Sequence, residues 1–356
     1  MAILTVVIIT FNEQRHIERC ITALSPLDAN IVVVDSFSTD QTAEIAEALG
    51  ARVIKHAFVN QAQQFQWALD FAEISTPWVM RLDADEVIEP NLIGEILQKL
   101  PELPENVVGI NIKRKHVFMG RWIRHGGRFP LVLLRIWRHG KGRIENRWMD
   151  EHIIVWGGQT VTFDHCFSDV NLNDLSFFTA KHNAYATREA IDVLNEKYRL
   201  FESDRELSSK SSSSQAARKR RFKQRVYNRM PFWLGPTVYF IYRYTIQLGF
   251  LDGVEGAIYH FLQGFWYRFL VGAKIVEFER LLVGNPDHGK RLAILEQASG
   301  LRLTPRQSAT VPSATGSSAE SANDVTVGRG YSPSRAAAGR KVLKSSRKAN
   351  ATDSRV

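Results

Sequence analysis

The chain has 356 residues, enough for one large α/β domain with extra elements and a sizeable core. Its two cysteines, Cys20 and Cys166, are too few for a disulfide framework, so a reducing compartment is expected. The net charge of +9 is concentrated in residues 210–229 and from residue 329 onward. No nucleic-acid motif accompanies it, so the charge favours an anionic membrane surface, with a solvated basic face as the alternative.

Short apolar strands alternate with helices through the first hundred residues. The runs LTVVIIT at 4–10 and NIVVVDS at 30–36 are β-branched and apolar, as central parallel strands are. The first run lacks a basic leader and stops at Asn12 and Glu13, so we expect a strand rather than a signal peptide, and an intracellular protein. The other predicted elements are helices at 13–24, 39–50 and 63–73 and strands at 51–58 and 78–86. This order predicts a parallel, doubly wound sheet.

The pattern changes after Pro104, where strands at 107–118 and 131–140 and a long amphipathic helix at 171–198 indicate a mixed second half. From about residue 302 the chain lacks hydrophobic periodicity. We therefore predict four segments: a nucleotide-binding sheet domain over 1–202, a basic Ser-rich linker over 203–222, an aromatic-rich helical region over 223–300 and a disordered basic tail over 301–356.

Two aromatic-rich stretches, 231–251 and 257–276, define the helical region. Arg243 divides the first stretch and Arg268 interrupts the second, so both are marginal as transmembrane helices. Their aromatic residues and the preceding basic run, 218–225, favour interfacial attachment to anionic lipid. A packed core or homodimer surface, and true spanning helices, are the alternatives.

Polar residues follow three of the predicted strands, where parallel α/β sheets bind their ligands. These residues are Thr10, Phe11, Asn12 and Glu13 after the first strand, Asp35 to Asp40 after the second, and Asp83 to Glu86 after the fourth. A later segment supplies Asp150, Glu151 and His152.

Asp83 and Asp85 stand at positions i and i+2 directly after a buried strand, a spacing that can chelate a divalent cation. Hard oxygen ligands favour Mg²⁺ or Mn²⁺, which would bridge to a diphosphate. The alternative is that these two aspartates cap the next helix and bind no cation. Asp35 suits a hydrogen bond to the base or ribose of a nucleotide, or an Asx turn. The absence of a glycine-rich phosphate loop counts against a dinucleotide dehydrogenase and a P-loop enzyme.

The spaced segments VVIITFNE, IVVVDSFSTDQT, RLDADE and MGRWIRHGGRFPLVLLRIWRHGKGR together resemble a family 2 glycosyltransferase, similar to bacterial lipopolysaccharide-core β-1,4-glucosyltransferases. The resemblance covers roughly residues 3 to 280. It implies a GT-A type nucleotide-binding, doubly wound mixed sheet, followed by C-terminal amphipathic or interfacial helices. The implied activity is inverting transfer of a sugar from a nucleotide-diphosphate donor, with a UDP-sugar favoured, to a lipopolysaccharide-core or other surface-glycan acceptor, which can be lipid-linked.

The resemblance also implies residue roles. Asp83 would lie by the ribose and diphosphate, with Asp85 as principal ligand of Mg²⁺ or Mn²⁺. Glu151 is the expected general base that takes the acceptor proton, with Asp150 in reserve; a surface residue paired with an arginine is the alternative for Glu151. The donor pocket would be lined by Thr10, Phe11, Asn12, Glu13 and Asp35.

Two positions depart from the family pattern. Residues 61–69 lack the usual Arg or Lys, which puts one donor contact in doubt, and Asp150 replaces a histidine. Arg121, Arg124 and Arg128 are candidates to stabilise the leaving diphosphate, with acceptor binding or solvation as alternatives. His125 and His165 are more typical of structural histidines than of catalytic ones.

The sequence therefore predicts a metal-dependent transferase that is cytoplasmic and peripheral on the inner face of the cell membrane, with no nucleic-acid partner. One alternative is a nucleotidyltransferase on a similar sheet, which would consume a nucleoside triphosphate. The other is a non-catalytic, membrane-associated nucleotide-sugar binding protein.

Overall fold

A computed structural model describes residues 2–145, 152–201, 231–285 and 287–303 of the chain, which belong to one compact unit. The candidate bases Asp150 and Glu151 lie outside the described residues. So do the predicted linker, 203–222, the basic run, 218–225, and the predicted tail from residue 304 onward.

Eleven strands and nine α-helices occur in the described part of the chain. The strands are β1 (Leu4–Thr10), β2 (Ala29–Asp35), β3 (Arg52–Lys55), β4 (Trp78–Asp83), β5 (Glu86–Ile88), β6 (Val107–Phe118), β7 (Arg121–Trp122), β8 (Leu131–Arg138), β9 (Gly142–Ile144), β10 (Ile153–Val155) and β11 (Gln159–Val170). The α-helices are α1 (Ile17–Leu24), α2 (Thr42–Ala48), α3 (Gln61–Phe71), α4 (Pro90–Lys99), α5 (Leu175–Tyr198), α6 (Leu234–Ile241), α7 (Gly253–Tyr259), α8 (Tyr267–Leu282) and α9 (His288–Ser299). Short 3-10 turns occupy Leu100–Glu102 and Gly249–Asp252, and π turns occupy Tyr242–Ile246 and His260–Trp266.

Nine of the strands form one mixed sheet in the order β3-β2-β1-β4-β8-β6-β11-β5, with β7 paired to β6. Strands β3, β2, β1 and β4 are parallel neighbours, as are β6 and β11. Strand β8 is antiparallel to both β4 and β6, and β5 is antiparallel to β11 at the sheet edge. Strands β9 and β10 form a separate two-stranded ribbon. The predicted doubly wound mixed sheet is confirmed.

The central strands are apolar on both faces because helices cover both faces of the sheet. In β1, Val6 and Ile8 belong to one core cluster and Val7 to the other, and all three are fully buried. Helix α1 contributes Ile17 to the first cluster, and α3 contributes Phe65 to the second. This two-sided burial explains why the strands read as continuous hydrophobic runs.

The C-terminal helices pack against α5, the long helix predicted over 171–198. Asp174 caps its first turn, accepting a hydrogen bond from Phe177 N at 2.8 Å. Ala190 and Leu194 of α5 share a buried cluster with Phe278 of α8. In the described ranges, every helix is too short or too polar to cross a membrane.

Candidate functional site

The register of three parallel strands brings predicted site residues together at one edge of the sheet. Thr10 pairs with Asp35 across β1 and β2, and Ile9 pairs with Asp83 across β1 and β4. The Thr10 hydroxyl donates a hydrogen bond to Asp35 Oδ1 at 3.1 Å, and Asp35 is fully buried. The carboxyl ends of β1, β2 and β4 therefore meet where a doubly wound sheet binds its ligand.

The loops after β1 and β2 hold each other in place through their side chains. Ser38 N donates to Asp35 Oδ2 at 2.8 Å, which is the local turn anticipated as the alternative role of Asp35. Asn12 N donates to Ser38 Oγ at 2.9 Å, and Asn12 Oδ1 accepts from Thr39 N at 2.8 Å. Asn12 adopts a left-handed backbone with φ of 56°, which asparagine tolerates better than most residues.

Two aromatic side chains project from these loops. Phe11 is 55% exposed and Phe37 is 56% exposed, although both lie beside a fully buried aspartate. Phe37 also has a left-handed backbone, with φ of 59°. A base can stack on an exposed ring of this kind, because every nucleobase presents a π-face.

Asp83 is surrounded by arginines. Arg81 Nε lies 3.4 Å from Asp83 Oδ1, and Arg135 Nη2 lies 3.7 Å from Asp83 Oδ2. Burial alone would raise the pKa of Asp83, but Arg81, Arg135 and Arg114 outweigh it and lower the pKa. The backbone N–H of Asp83 donates to Glu86 Oε2 at 2.9 Å. Asp83 is therefore held ionised and in a fixed orientation.

Asp85 has the opposite electrostatic surroundings. Burial raises the pKa of its carboxyl, and the nearby charge of Asp169 raises it further, while Lys181 opposes them. Asn171 Nδ2 donates to Asp85 Oδ2 at 3.1 Å. The surplus of negative charge at Asp85 is what a divalent cation would neutralise.

Strand β11 and helix α5 supply two charged residues that the sequence analysis did not identify. Asp169 lies near the end of β11, 3.0 Å from His116 Nδ1 and 3.5 Å from Arg114 Nη1. Burial opposes its ionisation, but His116 and Arg114 hold its pKa well below the usual range. Burial would lower the pKa of Lys181, yet Tyr185 and nearby carboxylates, including that of Asp85, raise it, so Lys181 is a firmly charged ammonium.

A buried histidine, His16, connects Glu13 to the segment that follows β11. His16 Nδ1 donates to Glu13 Oε2 at 2.6 Å, and His16 Nε2 accepts from Leu172 N at 2.9 Å. Because Nε2 is an acceptor, the proton of a neutral imidazole lies on Nδ1. Glu13 N also donates to Thr42 Oγ1 at 2.8 Å, so Glu13 is anchored at both its backbone and its side chain.

The two aspartates fit a cation that takes few ligands from the protein. Within the described residues, no group of three or more acidic, histidine or cysteine side chains is arranged to hold a metal. Mg²⁺ commonly binds through one or two carboxylates together with substrate phosphates and water. Asp85, with a side-chain hydrogen bond from Asn171 and surplus negative charge, suits this role better than Asp83, which its arginines already neutralise.

Helix α3, where the expected Arg or Lys is missing, contributes a buried glutamine next to the β2 loop. Gln64 Nε2 donates to Ser36 Oγ at 3.1 Å, and Gln64 Oε1 lies 2.7 Å from His56 Nδ1. Ser36 directly follows Asp35. Residue 64 therefore positions the loop that holds Asp35.

The residues flanking the candidate bases form the β9–β10 ribbon. Glu145 N donates to His152 O at 2.8 Å, and these two residues flank positions 146–151 in the chain. A cavity of about 480 Å³ between α3 and this ribbon is lined in part by Gln66, Trp67 and Glu145. None of the predicted donor-site residues lines it.

The histidines that the sequence marked as ambiguous have structural partners. His165 Nδ1 lies 2.9 Å from Glu95 Oε2 of α4, and His125 Nδ1 lies 2.7 Å from Asp252 Oδ1. Arg121 donates to Leu251 O at 3.4 Å. The segment around His125 is therefore bound to the C-terminal helical region.

Comparison with known proteins identifies related chains. The sequence pattern of Glycosyl transferase family 2 matches residues 5–168. The lipopolysaccharide core biosynthesis glycosyltransferase LpsC of Rhizobium meliloti is 25% identical over 272 residues, 73% of this chain and 89% of LpsC. An uncharacterized glycosyltransferase of Rickettsia bellii is 38% identical over 89 residues, 25% of this chain and 30% of that protein.

Among solved structures, glucosyl-3-phosphoglycerate synthase from Mycobacterium tuberculosis, in complex with Mg²⁺ and uridine diphosphate, is 26% identical. The overlap covers 32% of this chain and 44% of that chain, with a TM-score of 0.27.

Proposed function

We propose, from the match of residues 5–168 to Glycosyl transferase family 2, that the chain is an inverting, metal-dependent glycosyltransferase. The donor is a nucleotide-diphosphate sugar, with UDP as the nucleotide. The acceptor is a lipopolysaccharide-core or other surface glycan, in keeping with the similarity to LpsC, a lipopolysaccharide core biosynthesis glycosyltransferase. The observation that carries the proposal is the convergence of Thr10, Asp35, Asp83 and Asp85 at one edge of the sheet.

The donor site is assigned from the positions of the side chains at the carboxyl ends of β1, β2 and β4. The exposed ring of Phe11 and the fixed carboxylate of Asp35 suit the base and ribose, with Asn12 and Glu13 shaping the pocket wall. Asp83 lies by the ribose and diphosphate. Asp85 is the principal ligand of Mg²⁺ or Mn²⁺, which would supply Lewis-acid stabilisation of the leaving diphosphate.

Lys181 adds fixed positive charge to this site. It is a firmly protonated ammonium in the electrostatic field of Asp85, Glu13 and Asp169. A leaving diphosphate gains negative charge as its bond to the sugar breaks, and a preorganised cation lowers the barrier for that step. We assign this role to Lys181 ahead of Arg121, whose guanidinium is bound to Leu251 O.

Transfer with inversion needs a base opposite the leaving group. The acceptor hydroxyl attacks the anomeric carbon as its proton passes to a carboxylate, and the carbon–oxygen bond to the diphosphate breaks. We assign the base to Glu151 and keep Asp150 as the alternative. In the chain, both residues lie between Glu145 and His152, which are joined by a hydrogen bond.

The decisive experiment is calorimetric binding of UDP, ATP and GDP to the full chain with and without Mn²⁺. We expect UDP binding that depends on Mn²⁺ and is lost in Asp85→Ala. Asp28→Ala is the matched control, because Asp28 is an exposed aspartate remote in sequence from the β4 edge. Undiminished Mn²⁺-dependent binding by Asp85→Ala would remove the metal role. Selective GDP binding would change the donor class.

The two alternative functions give different products. A nucleotidyltransferase consumes a nucleoside triphosphate and releases pyrophosphate, whereas the proposed enzyme releases UDP. A non-catalytic binding protein binds UDP-sugar but releases nothing. Release of UDP from UDP-sugars in the presence of a glycan acceptor identifies the proposed enzyme. Release of pyrophosphate from a nucleoside triphosphate and a sugar phosphate separates the two alternatives.

We place the enzyme at the cytoplasmic, inner face of the cell membrane, attached peripherally by its C-terminal region. Many large apolar side chains between residues 231 and 282 are exposed. The most exposed are Ile246 and Val254, each at 71%. A lipid surface would cover them and bring the enzyme to a lipid-linked acceptor. Alternatively, a second copy of the chain would bury the same residues in a homodimer interface.

A further inference from the structure

Three arginines are gathered around two tyrosines where the 121–128 segment meets the C-terminal helices. The guanidinium carbon of Arg128 lies 5.4 Å from the ring centroid of Tyr259, and that of Arg268 lies 4.4 Å from Tyr239. Arg243 lies 5.4 Å from the Tyr239 ring and 6.0 Å from the Tyr259 ring. We call Arg128, Arg243 and Arg268 the arginine cluster. Burial would raise the pKa of Tyr239, but these three charges outweigh burial and lower it.

The cluster contains buried donors that no other described residue satisfies. Arg243 is 2% exposed, and its Nε donates to Gly126 O at 2.7 Å. Its Nη2, the Nε of Arg128 and the hydroxyl of Tyr259 are buried without a hydrogen-bond partner in the described residues. Among these residues neither Arg128 nor Arg243 forms an ion pair with a carboxylate. A buried guanidinium N–H group without an acceptor is costly, and an anionic ligand bound here would supply the acceptors.

The cluster lies beside the carboxylate site rather than within it. His116 connects the two, because its Nδ1 is 3.0 Å from Asp169 Oδ2 and its ring centroid is 4.8 Å from that of Tyr259. An anion bound by the cluster would therefore be distinct from a diphosphate at Asp85.

We propose that the arginine cluster is an acceptor subsite that binds a phosphate or carboxylate group carried by the acceptor glycan. The inference rests on the proposed function and narrows it: the acceptor is an acidic sugar. Guanidinium groups bind such anions through paired N–H donors, and Arg128 and Arg268 are only half-buried, which leaves a side for the ligand to enter.

The test is calorimetric titration of the full chain with glucose 6-phosphate, glucuronate and glucose, without nucleotide or Mn²⁺. We expect the two charged sugars to bind and glucose not to bind. Arg128→Gln should weaken charged-sugar binding at least tenfold, and Arg268→Gln should do the same, which guards against a folding defect in one variant. Arg280→Gln, an exposed arginine on α8, is the matched control and should bind within twofold of the wild type.

Three results would overturn the subsite. The first is equal binding of charged sugars by the wild type and both cluster variants, or no charged-sugar binding at all. The second is displacement of the charged sugar by UDP, which would assign the cluster to the donor. The third is loss of binding to phosphatidylglycerol vesicles in Arg128→Gln without any charged-sugar binding, which would assign it to a lipid headgroup. Asp85→Ala separates the two proposals, because it should lose UDP binding and keep charged-sugar binding.

Discussion

At the scale of single residues, Asp83 and Asp85 are two residues apart but have opposite electrostatic surroundings. Asp83 faces Arg81 and Arg135, whereas Asp85 faces Asp169. A carboxylate whose folded pKa is raised costs stability once the pH exceeds its unfolded pKa of about 4. Asp85 is therefore retained at the expense of stability, as expected for a group that serves binding.

This contrast predicts opposite stability effects for two similar substitutions. In EDTA at pH 7, Asp85→Asn should raise the melting temperature, because it removes a buried surplus charge. Asp83→Asn should lower it, because Arg81 and Arg135 lose their anion. Thermal denaturation measures both. The gain from Asp85→Asn should shrink as the pH falls towards 4, since the wild-type carboxyl then becomes protonated; a loss of stability at pH 7 would contradict the argument.

The base assignment leads to a kinetic prediction. Glu151→Gln should lower kcat by roughly 10²–10⁴-fold, the usual contribution of a positioned base, while UDP binding stays within twofold. Asp150→Asn is the matched variant one residue away and should retain most of the turnover. The reverse ranking, measured by UDP release at saturating donor, would move the base to Asp150.

Some candidate site residues could be proposed from sequence because they stand at the carboxyl ends of apolar strands. Thr10, Asp35 and Asp83 are of this kind. Asp169 was not found, because β11 was not recognised as a strand: its register against β6 is interrupted between Thr162 and Cys166, which breaks the alternating pattern. Lys181 lies on a correctly predicted helix, and only the packing of that helix shows that it reaches the site.

At the scale of secondary-structure elements, one buried glutamate joins α4 to β11. Glu95 accepts hydrogen bonds from Asp164 N, His165 N and Lys99 Nζ at 2.8–2.9 Å. Burial opposes its ionisation, but these hydrogen bonds and one with the His165 ring lower the pKa of Glu95 to about 2. The irregular segment of β11 is therefore fixed in place by a helix on one face of the sheet.

Replacement of this glutamate should have a pH-dependent cost. The folded pKa of about 2 lies below the unfolded value, so the stabilisation is complete above about pH 4.5 and is lost as the pH falls towards 2. Glu95→Gln should therefore cost roughly 1–3 kcal/mol at pH 7 and progressively less below pH 4.5. Urea unfolding of both proteins from pH 7 to pH 3.5 measures the difference. A constant difference would show that the charge is not the cause.

A glycine marks the contact between the 121–128 segment and the C-terminal helices. Gly126 has φ of 65°, and a Cβ there would lie 2.2 Å from Cε1 of the buried His260. Gly126→Ala should destabilise the protein by about 2 kcal/mol or more, through strain and overpacking together. Gly120→Ala is the control, because Gly120 has φ of 80° but no atom within 4 Å of its Cβ position. Equal melting temperatures for the two variants would contradict this contact.

The elements predicted correctly are those whose signal is local. Helix α5 has an aspartate cap and strand β1 has an unbroken apolar run. Strand β5 has three residues, and the β9–β10 ribbon has three residues on each side, so neither carries a detectable period. Strand β5 forms because the distant strand β11 pairs with it, whereas β9 and β10 form because they pair with each other.

At the scale of the whole molecule, exposed apolar surface is abundant in the C-terminal region. We expect the full chain to sediment with vesicles that contain phosphatidylglycerol. Ile246→Ser combined with Val254→Ser should reduce the bound fraction severalfold, because these are the two most exposed apolar side chains between residues 231 and 282. Phe71→Ser, at a 64% exposed residue of α3, is the control. If the double variant binds vesicles normally but changes from dimer to monomer, the surface is a subunit interface.

The pairing of β5 with β11 determines when the candidate site can form during synthesis of the chain. Strand β5 follows Asp85 directly, yet its partner in the sheet is β11, about seventy residues later in the chain. Val170 N also donates to Asp85 O at 2.9 Å. While the ribosome is still translating the intervening residues, β1, β2 and β4 can already associate, but Asp85 still lacks its hydrogen bonds from Val170 and Asn171. Asp85, the proposed metal ligand, is therefore fixed in its native position only after residue 170 has left the exit tunnel. By then β1, β2 and β4 have long been synthesised.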